Sequence, residues 1–289
     1  MTAIAETWQH EYLITNGVRL HYVTQGEGPL MLMLHGFPDF WYSWRHQIPE
    51  FARDHKVVAV DLRGYNDSDK PAEKSAYTIP ILVEDVAGIV RGLGYDRCVL
   101  VGHDWGGAIA WNVAYTHPDL IDRLIILNLP HPAKFQQGLL TPQQLLRSSY
   151  IFFFQLPWLP EAVLQWDNYR AIAAAYQGMA VDKTAFTSED LEAYKTAAAK
   201  PGALTSMLNY YRNLFQNGVK MTGKQWSLLK VPTLLIWGEK DIALGKELTY
   251  GTEKYVENLQ IRYFPNCSHW VHHEQPHQVN QALREFLAT

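Results

Sequence analysis

Cysteine is scarce in this chain of 289 residues: there are two, Cys98 and Cys267. One falls in an apolar run that reads as a buried strand, the other in a loop. No disulfide framework is expected, and a reducing compartment fits. Runs of basic residues are missing as well. Lys and Arg number 25 against 29 Asp and Glu, leaving a formal net charge of −4. That balance argues against a nucleic-acid partner or an anionic membrane surface. Long hydrophobic runs are also lacking. The densest, Tyr150 to Pro160, is broken by Gln155 and two prolines and is too short to span a bilayer. Met1 to His10 contains Glu6 and no apolar core, so no signal peptide is expected there. Internal repeats and low-complexity segments are absent. The expected location is the cytoplasm.

What is present fits a globular protein, with 47% apolar and 19% charged residues, and 13% aromatic residues hint at an apolar pocket. The length allows one large α/β domain, or one domain with a sizeable insertion. Residues 11–15 and 19–24 read as a hairpin turned at Asn16-Gly17, a strong two-residue turn signal. Residues 30–34, 56–60, 98–101, 123–127, 232–237 and 260–264 read as short buried strands. A helix is predicted over 44–51. Leu82, Val83, Val86, Ile89, Val90 and Leu93 fall at helical spacing with Gly94 as the stop, and a last helix covers 277–287. Alternating strands and helices predict a parallel sheet covered on both faces. From Pro130 to about Leu229 the rhythm changes to helical patterns only, over 143–154, 159–177, 188–199 and 203–216. The predicted organisation is an α/β sheet domain from residues 1–129 and 230–289, with residues 130–229 inserted as a helical lid.

The stretch Val99-Leu100-Val101-Gly102-His103-Asp104-Trp105-Gly106-Gly107-Ala108 organises the rest. A short apolar strand runs into a helical pattern (Ile109, Trp111, Val113, Ala114), with G-x-D-x-G between them. This is the layout of a nucleophile elbow, a tight turn that pushes one side chain into the open. The side chain presented is Asp104. A serine attacking a saturated carbon would leave an ether that water does not readily break. A carboxylate leaves an ester, whose carbonyl water attacks in a second step. Asp104 is ionised at neutral pH without an activating base. The expected substrates are therefore small molecules with an electrophilic saturated carbon, epoxides or alkyl halides, rather than acyl groups. A solvated aspartate in a tight turn is the competing structural role.

An elbow nucleophile is followed in the chain by an acid and then a histidine. Asp241 and His269 both lie just beyond a late predicted strand, the edge where α/β sheets place their chemistry. Glu239 is the rival acid, and Asp241 has a competing use as the cap of a helix beginning near Leu244. An alternative place for the acid, Asn128-Leu129-Pro130, carries no carboxylate. His269, His272 and His273 cluster, but His-x-x-His-His lacks partner ligands at a zinc spacing, so no metal is expected. The later two histidines read as lid-side or surface residues. The second step needs an oxyanion hole. Its expected donors are the N–H groups of Trp105 and of Phe37, in His35-Gly36-Phe37-Pro38; His35 reads as a buried structural residue.

These motifs, with Trp41-Tyr42-Ser43-Trp44-Arg45, Asp61-Leu62-Arg63-Gly64-Tyr65 and Asn128-Leu129-Pro130-His131-Pro132, resemble those of the soluble epoxide hydrolases of the α/β-hydrolase superfamily. The resemblance runs from about residue 11 to the C-terminus, and nothing here corresponds to the N-terminal phosphatase domain of some members. It implies an α/β-hydrolase sheet domain with a helical cap, an epoxide substrate and no cofactor. It also implies two lid tyrosines that hold and protonate the epoxide oxygen, as an alkoxide leaving group requires. Asn209-Tyr210-Tyr211-Arg212-Asn213 resembles the family's N-W-Y-R-N segment, which puts one at Tyr211. Tyr210 and Tyr211 point different ways on a helix, so at most one faces the pocket. Aligning Phe154-Gln155 with the family's Y-F-Q pattern leaves Phe153 where the other tyrosine is expected, among the substrate contacts with Phe37 and Trp105. Either Tyr150, three residues earlier, substitutes, or one tyrosine works alone and Tyr150 is core packing.

Haloalkane dehalogenases are the alternative, sharing the Asp nucleophile, the following Trp and the His. Their halide is held by two N–H donors, of which Trp105 is one candidate. The other, in many relatives an asparagine of the His-Gly-x-Pro loop, is Phe37 here, with lid residues Trp158 or Trp166 as substitutes. Trp105 stands where fluoroacetate dehalogenases have arginine, against that branch. Asp104 itself disfavours a serine esterase, and the complete catalytic set disfavours a receptor with a disabled site. The expectation is epoxide hydrolysis through an Asp104 ester, by a monomer or homodimer.

Overall fold

The computed structural model describes residues 8–214 and 226–289. The expectation of no signal peptide falls mostly, and the end of the helix predicted to reach Gln216 falls wholly, outside them. One sheet contains β1 (Gln9–Thr15), β2 (Val18–Gln25), β3 (Leu30–Leu34), β4 (Lys56–Val60), β5 (Cys98–His103), β6 (Ile121–Leu127), β7 (Thr233–Gly238) and β8 (Leu259–Phe264). Their spatial order is β1-β2-β4-β3-β5-β6-β7-β8. β2 pairs antiparallel with β1 and β4, and every pairing from β4 to β8 is parallel. Asn16 and Gly17, with φ of 46° and 75°, make the first turn, matching the twist of the strands they join. β3, β5 and β7 are buried along their whole length, as strands covered on both faces must be.

The helices are α1 (Ile48–Phe51), α2 (Ile79–Gly92), α3 (Trp105–Thr116), α4 (Pro132–Leu139), α5 (Pro142–Arg147), α6 (Tyr150–Phe153), α7 (Leu159–Met179), α8 (Ser188–Ala199), α9 (Ala203–Asn213), α10 (Val271–Glu274) and α11 (Pro276–Leu287). Several differ from the sequence pattern. The helix predicted over 44–51 is a 3-10 turn, Trp41–Trp44, followed by α1; Pro49 has no N–H to continue a helix and starts a new one. The helix predicted over 143–154 divides into α5 and α6 at Ser148-Ser149. α7 is kinked from Trp166 to Tyr169, where Asp167, Asn168 and Tyr169 take φ of 50°, 54° and 60°. α4 was not visible as a periodic pattern; His131 caps it by accepting the Ala133 N–H at 3.1 Å, and Pro132 opens it. α8 has the predicted span, with Thr187 and Asp190 forming a reciprocal capping box.

Between β6 and β7 the described residues hold α4 to α9 and no strand. Polar contacts tie these helices to the loops at the carboxyl edge of the sheet. Tyr210 Oη donates to the Arg63 carbonyl at 2.7 Å, Tyr77 Oη to Ser206 Oγ at 2.8 Å, and Tyr42 Oη to Asp190 at 3.0 Å. The loop at 61–65 is itself fixed from below. Asp61 accepts from His21 Nδ1 at 2.6 Å and from the Trp41 N–H at 2.9 Å. Arg63 makes a buried two-point contact with Asp85 of α2 at 2.6 and 2.7 Å, a geometry whose loss from one side would leave an uncompensated charge. The Asp-Leu-Arg-Gly-Tyr motif is thus the seat on which α9, and Tyr211 with it, rests.

Candidate active site

The predicted triad residues and the Phe37 oxyanion donor each follow the carboxyl end of a parallel strand, whereas Tyr150 and Tyr211 lie on α6 and α9. Phe37 comes after β3, Asp104 after β5, Asp241 after β7 and His269 after β8. Four neighbouring strands plus β6 therefore aim their outgoing loops at one place. Asp104 sits at the sharpest of these turns, with φ 48° and ψ −121°, a conformation that costs a non-glycine residue about 1–3 kcal/mol. The strand and helix can approach so closely only because of glycine. A Cβ at Gly102 would lie 2.5 Å from the Gly106 carbonyl oxygen, and one at Gly106 would lie 2.5 Å from that of His35.

The Phe37 N–H donates to Asp104 Oδ1 at 2.8 Å. Trp105 is the first residue of α3, so its N–H has no acceptor within the helix. On the other carboxylate oxygen, His269 Nε2 lies 3.6 Å from Asp104 Oδ2. The opposite ring nitrogen, Nδ1, donates to Asp241 Oδ2 at 2.7 Å. Among the described residues no helix begins near Leu244 for Asp241 to cap; the next element is a 3-10 turn, Lys246–Thr249, behind Gly245. Asp241 Oδ2 faces the histidine while its Oδ1 accepts the Ala243 and Leu244 N–H groups at 2.8 and 3.0 Å. Glu239, the rival acid, is turned to Lys246 at 2.8 Å.

Asn128, noticed in the sequence for lacking a carboxylate, clamps this acid. Its Nδ2 donates to Asp241 Oδ2 at 2.8 Å and its Oδ1 accepts the Gly238 N–H at 2.9 Å. His103 supports the histidine loop from beneath, with Nε2 donating to the His269 carbonyl at 2.9 Å. Neither role has a signal in the spacing, because both depend on the register between neighbouring strands.

The charges are mutually supporting. Burial pushes the Asp104 carboxyl up, but the His269 ring, His103 and the Phe37 N–H outweigh it and hold its pKa below the usual carboxylate range. Asp241 is lowered in the same way, burial being outweighed by His269, the Leu244 N–H and Asn128. Burial opposes a charge on His269, yet the Asp241 and Asp104 carboxylates raise its pKa from 6.5 to about 10. The resting arrangement is therefore an imidazolium between two carboxylates.

A cavity of about 680 Å³, counting its mouth, opens on Asp104. Tyr150 of α6 and Tyr211 of α9 both line it, with ring centroids 5.9 Å apart. The Trp105 and Phe37 rings stand 5.1 and 5.3 Å from that of Tyr211. Burial raises the pKa of both phenols and the Asp104 charge raises it further, so both stay protonated. Tyr210 faces away, toward Arg63.

The α/β-hydrolase fold family matches residues 29–276. Epoxide hydrolase 4 of Mus musculus is 43% identical over 94% of this chain and 77% of its own length. The chain belongs to the epoxide hydrolase family of the α/β-hydrolases. Among solved structures, the Bacillus megaterium epoxide hydrolase in complex with an inhibitor is similar with a TM-score of 0.90 and 39% identity. That likeness covers 96% of this chain and 100% of that one. Epoxide hydrolase A from Mycobacterium thermoresistibile has a TM-score of 0.85 and 30% identity, covering 98% of each. The chain is thus an enzyme, a hydrolase, and no helix of its described residues is long and apolar enough to cross a membrane.

In this member of the epoxide hydrolase family, two expectations need correction. Of the three residues placed among the substrate contacts, Trp105 lines the cavity, whereas Phe37 and Phe153 are not among the residues lining it. Phe154, next to Phe153, packs on Phe37, Tyr150 and Tyr211 at 5.5, 5.6 and 5.0 Å. α6 is a single turn, and residues four apart share its face, which pairs Tyr150 with Phe154. His272 and His273, expected at the surface, are buried. His272 Nε2 lies 3.0 Å from Ser43 Oγ and His273 Nδ1 2.9 Å from Arg45, so the two face the Trp41–Arg45 loop rather than a shared ligand. Burial drives both pKa values well down, leaving these rings neutral and able to pack in the interior. Trp158 and Trp166, weighed as halide donors, are each 71% exposed and are not among the residues lining the cavity.

Proposed function

We propose that this enzyme hydrolyses epoxides to vicinal diols through an ester formed on Asp104. The observation that carries the proposal is the shared cavity: one carboxylate nucleophile faces the same space as two protonated phenols. The names of the relatives support the substrate class. In this reading residues 130–229 act as the cap that brings the phenols over the sheet domain formed by 1–129 and 230–289.

An epoxide binds with its oxygen on Tyr150 and Tyr211. Asp104 Oδ2 attacks a ring carbon, the carbon–oxygen bond breaks, and a phenol gives its proton to the departing alkoxide. Esterification removes the Asp104 charge. That loss lowers the pKa of His269, whose rise rests partly on Asp104, and the imidazolium proton re-forms the phenol. Neutral His269, oriented by Asp241, then takes a proton from water as the water oxygen adds to the Asp104 carbonyl carbon. The Phe37 and Trp105 N–H groups hold the oxyanion. Collapse breaks the ester bond, the leaving alkoxide takes the second proton of the added water as the diol departs, and the carboxylate is restored with His269 protonated, so the cycle balances as epoxide plus water. No step calls for a metal or cofactor.

The test is a parallel assay with styrene oxide and 1-bromobutane. The expected result is diol from the epoxide and little bromide from the haloalkane. Bromide release without diol would overturn the proposal in favour of dehalogenation.

A further inference from the structure

The cavity is not uniform along its length. Trp105, Ala108 and Asn112 line it from one face of α3, at the three- and four-residue spacings that keep side chains in line. Around them stand Ile79, Leu129, Pro130, Phe135, Ile151 and Leu214, all apolar. Among the described lining residues, Asp104, the two tyrosines and the Trp105 indole account for every polar side chain but one. That one is the amide of half-buried Asn112.

The amide has a fixed orientation. Asn112 Nδ2 donates to the Ala108 carbonyl one turn earlier, at 2.8 Å. Turning the amide over would set two oxygens against each other, so Oδ1 is the atom left without a hydrogen-bond partner among the described residues. Asn112 lies eight residues beyond Asp104, about 12 Å along a helix rising 1.5 Å per residue. The reaction described above does not use it.

We infer that Asn112 is a specificity-determining residue, whose Oδ1 accepts a hydrogen bond from a hydroxyl or amide N–H on the arm of the substrate remote from the epoxide. The inference rests on the proposed epoxide hydrolysis and names the substrate class within it: epoxides with a neutral hydrogen-bond donor at the far end of an otherwise apolar chain. A methyl-terminated chain would cover the amide oxygen without satisfying it, which is where discrimination arises. A carboxylate at that end would meet the oxygen with like partial charge and is disfavoured.

The experiment compares terminal epoxides in matched pairs of increasing chain length, one of each pair ending in a hydroxyl and the other in a methyl group. For the wild-type enzyme, kcat/KM is expected to favour the hydroxyl-terminated epoxide by roughly tenfold at one chain length and little at shorter ones. Asn112→Leu, which removes the acceptor, is expected to bring that ratio to about one. No preference at any length in the wild type, or a preference that persists in Asn112→Leu, would overturn the inference. Turnover of the methyl-terminated epoxides separates the two readings. Diol without preference removes only the role of Asn112, whereas no diol from either series removes epoxide hydrolysis and this inference together.

Discussion

Replacing His269 with glutamine is expected to stop the reaction half-way. Glutamine keeps a polar side chain near Asp104 but cannot act as a base, so the first attack proceeds and the ester remains. The peptide bearing Asp104 should gain the mass of one epoxide, and kcat should fall by about 10²–10⁴-fold, the range expected for a missing general base. An unmodified peptide after exposure to epoxide would reject the covalent route. In the unaltered enzyme the two half-reactions should also separate with pH. Asp104 is held below the usual carboxylate range, so ester formation should stay constant as the pH falls through 5. Hydrolysis needs neutral His269. The ester has no Asp104 charge to sustain the resting value of about 10, so hydrolysis should rise with pH through a lower pKa. Ester should therefore accumulate most at acidic pH. Greater accumulation at alkaline pH would contradict this assignment of the base.

The second large effect belongs to the tyrosines. Removing both hydroxyls, Tyr150→Phe with Tyr211→Phe, leaves an alkoxide to form in an apolar cavity without a proton donor. Ring opening in a single turnover is expected to slow by about 10²–10⁴-fold, while the aromatic packing against Phe37, Phe154 and Trp105 is retained. Each single variant should lose less than the pair, because the other phenol still reaches the cavity. Stopped-flow fluorescence of Trp105, which faces the same cavity, would follow the ester-forming step. An unchanged rate in the double variant would remove the tyrosines from the chemistry, and a loss confined to Tyr211→Phe would return Tyr150 to a packing role.

Much of this site can be read in the sequence because parallel strands reduce a spatial problem to a linear one. Once Cys98–His103, Thr233–Gly238 and Leu259–Phe264 are recognised as strands, the residues just beyond their ends must meet at one edge of the sheet. Asp104, Asp241 and His269 are such residues. Groups whose place depends on packing between elements are a different matter. Asn128 reaches Asp241 only because β6 and β7 pair in one register. The break at Ser148-Ser149 decides which aromatic of residues 150–154 turns inward. It favours Tyr150 and Phe154 over Phe153. His272 and His273 are polar by type and buried in fact, since Ser43 and Arg45 await them 229 and 228 residues away in the chain. No local pattern carries that information.

Everything in the mechanism depends on where the oxygen of water goes first. One turnover in water enriched in oxygen-18, with enzyme in excess over epoxide, separates the possibilities by mass spectrometry of the peptide containing residue 104. The account predicts that the heavy oxygen enters the Asp104 carboxylate while the first diol released carries an ordinary oxygen taken from the protein. Heavy oxygen in that first diol, with an unlabelled Asp104, would mean that water attacks the epoxide directly, and the covalent account would be wrong.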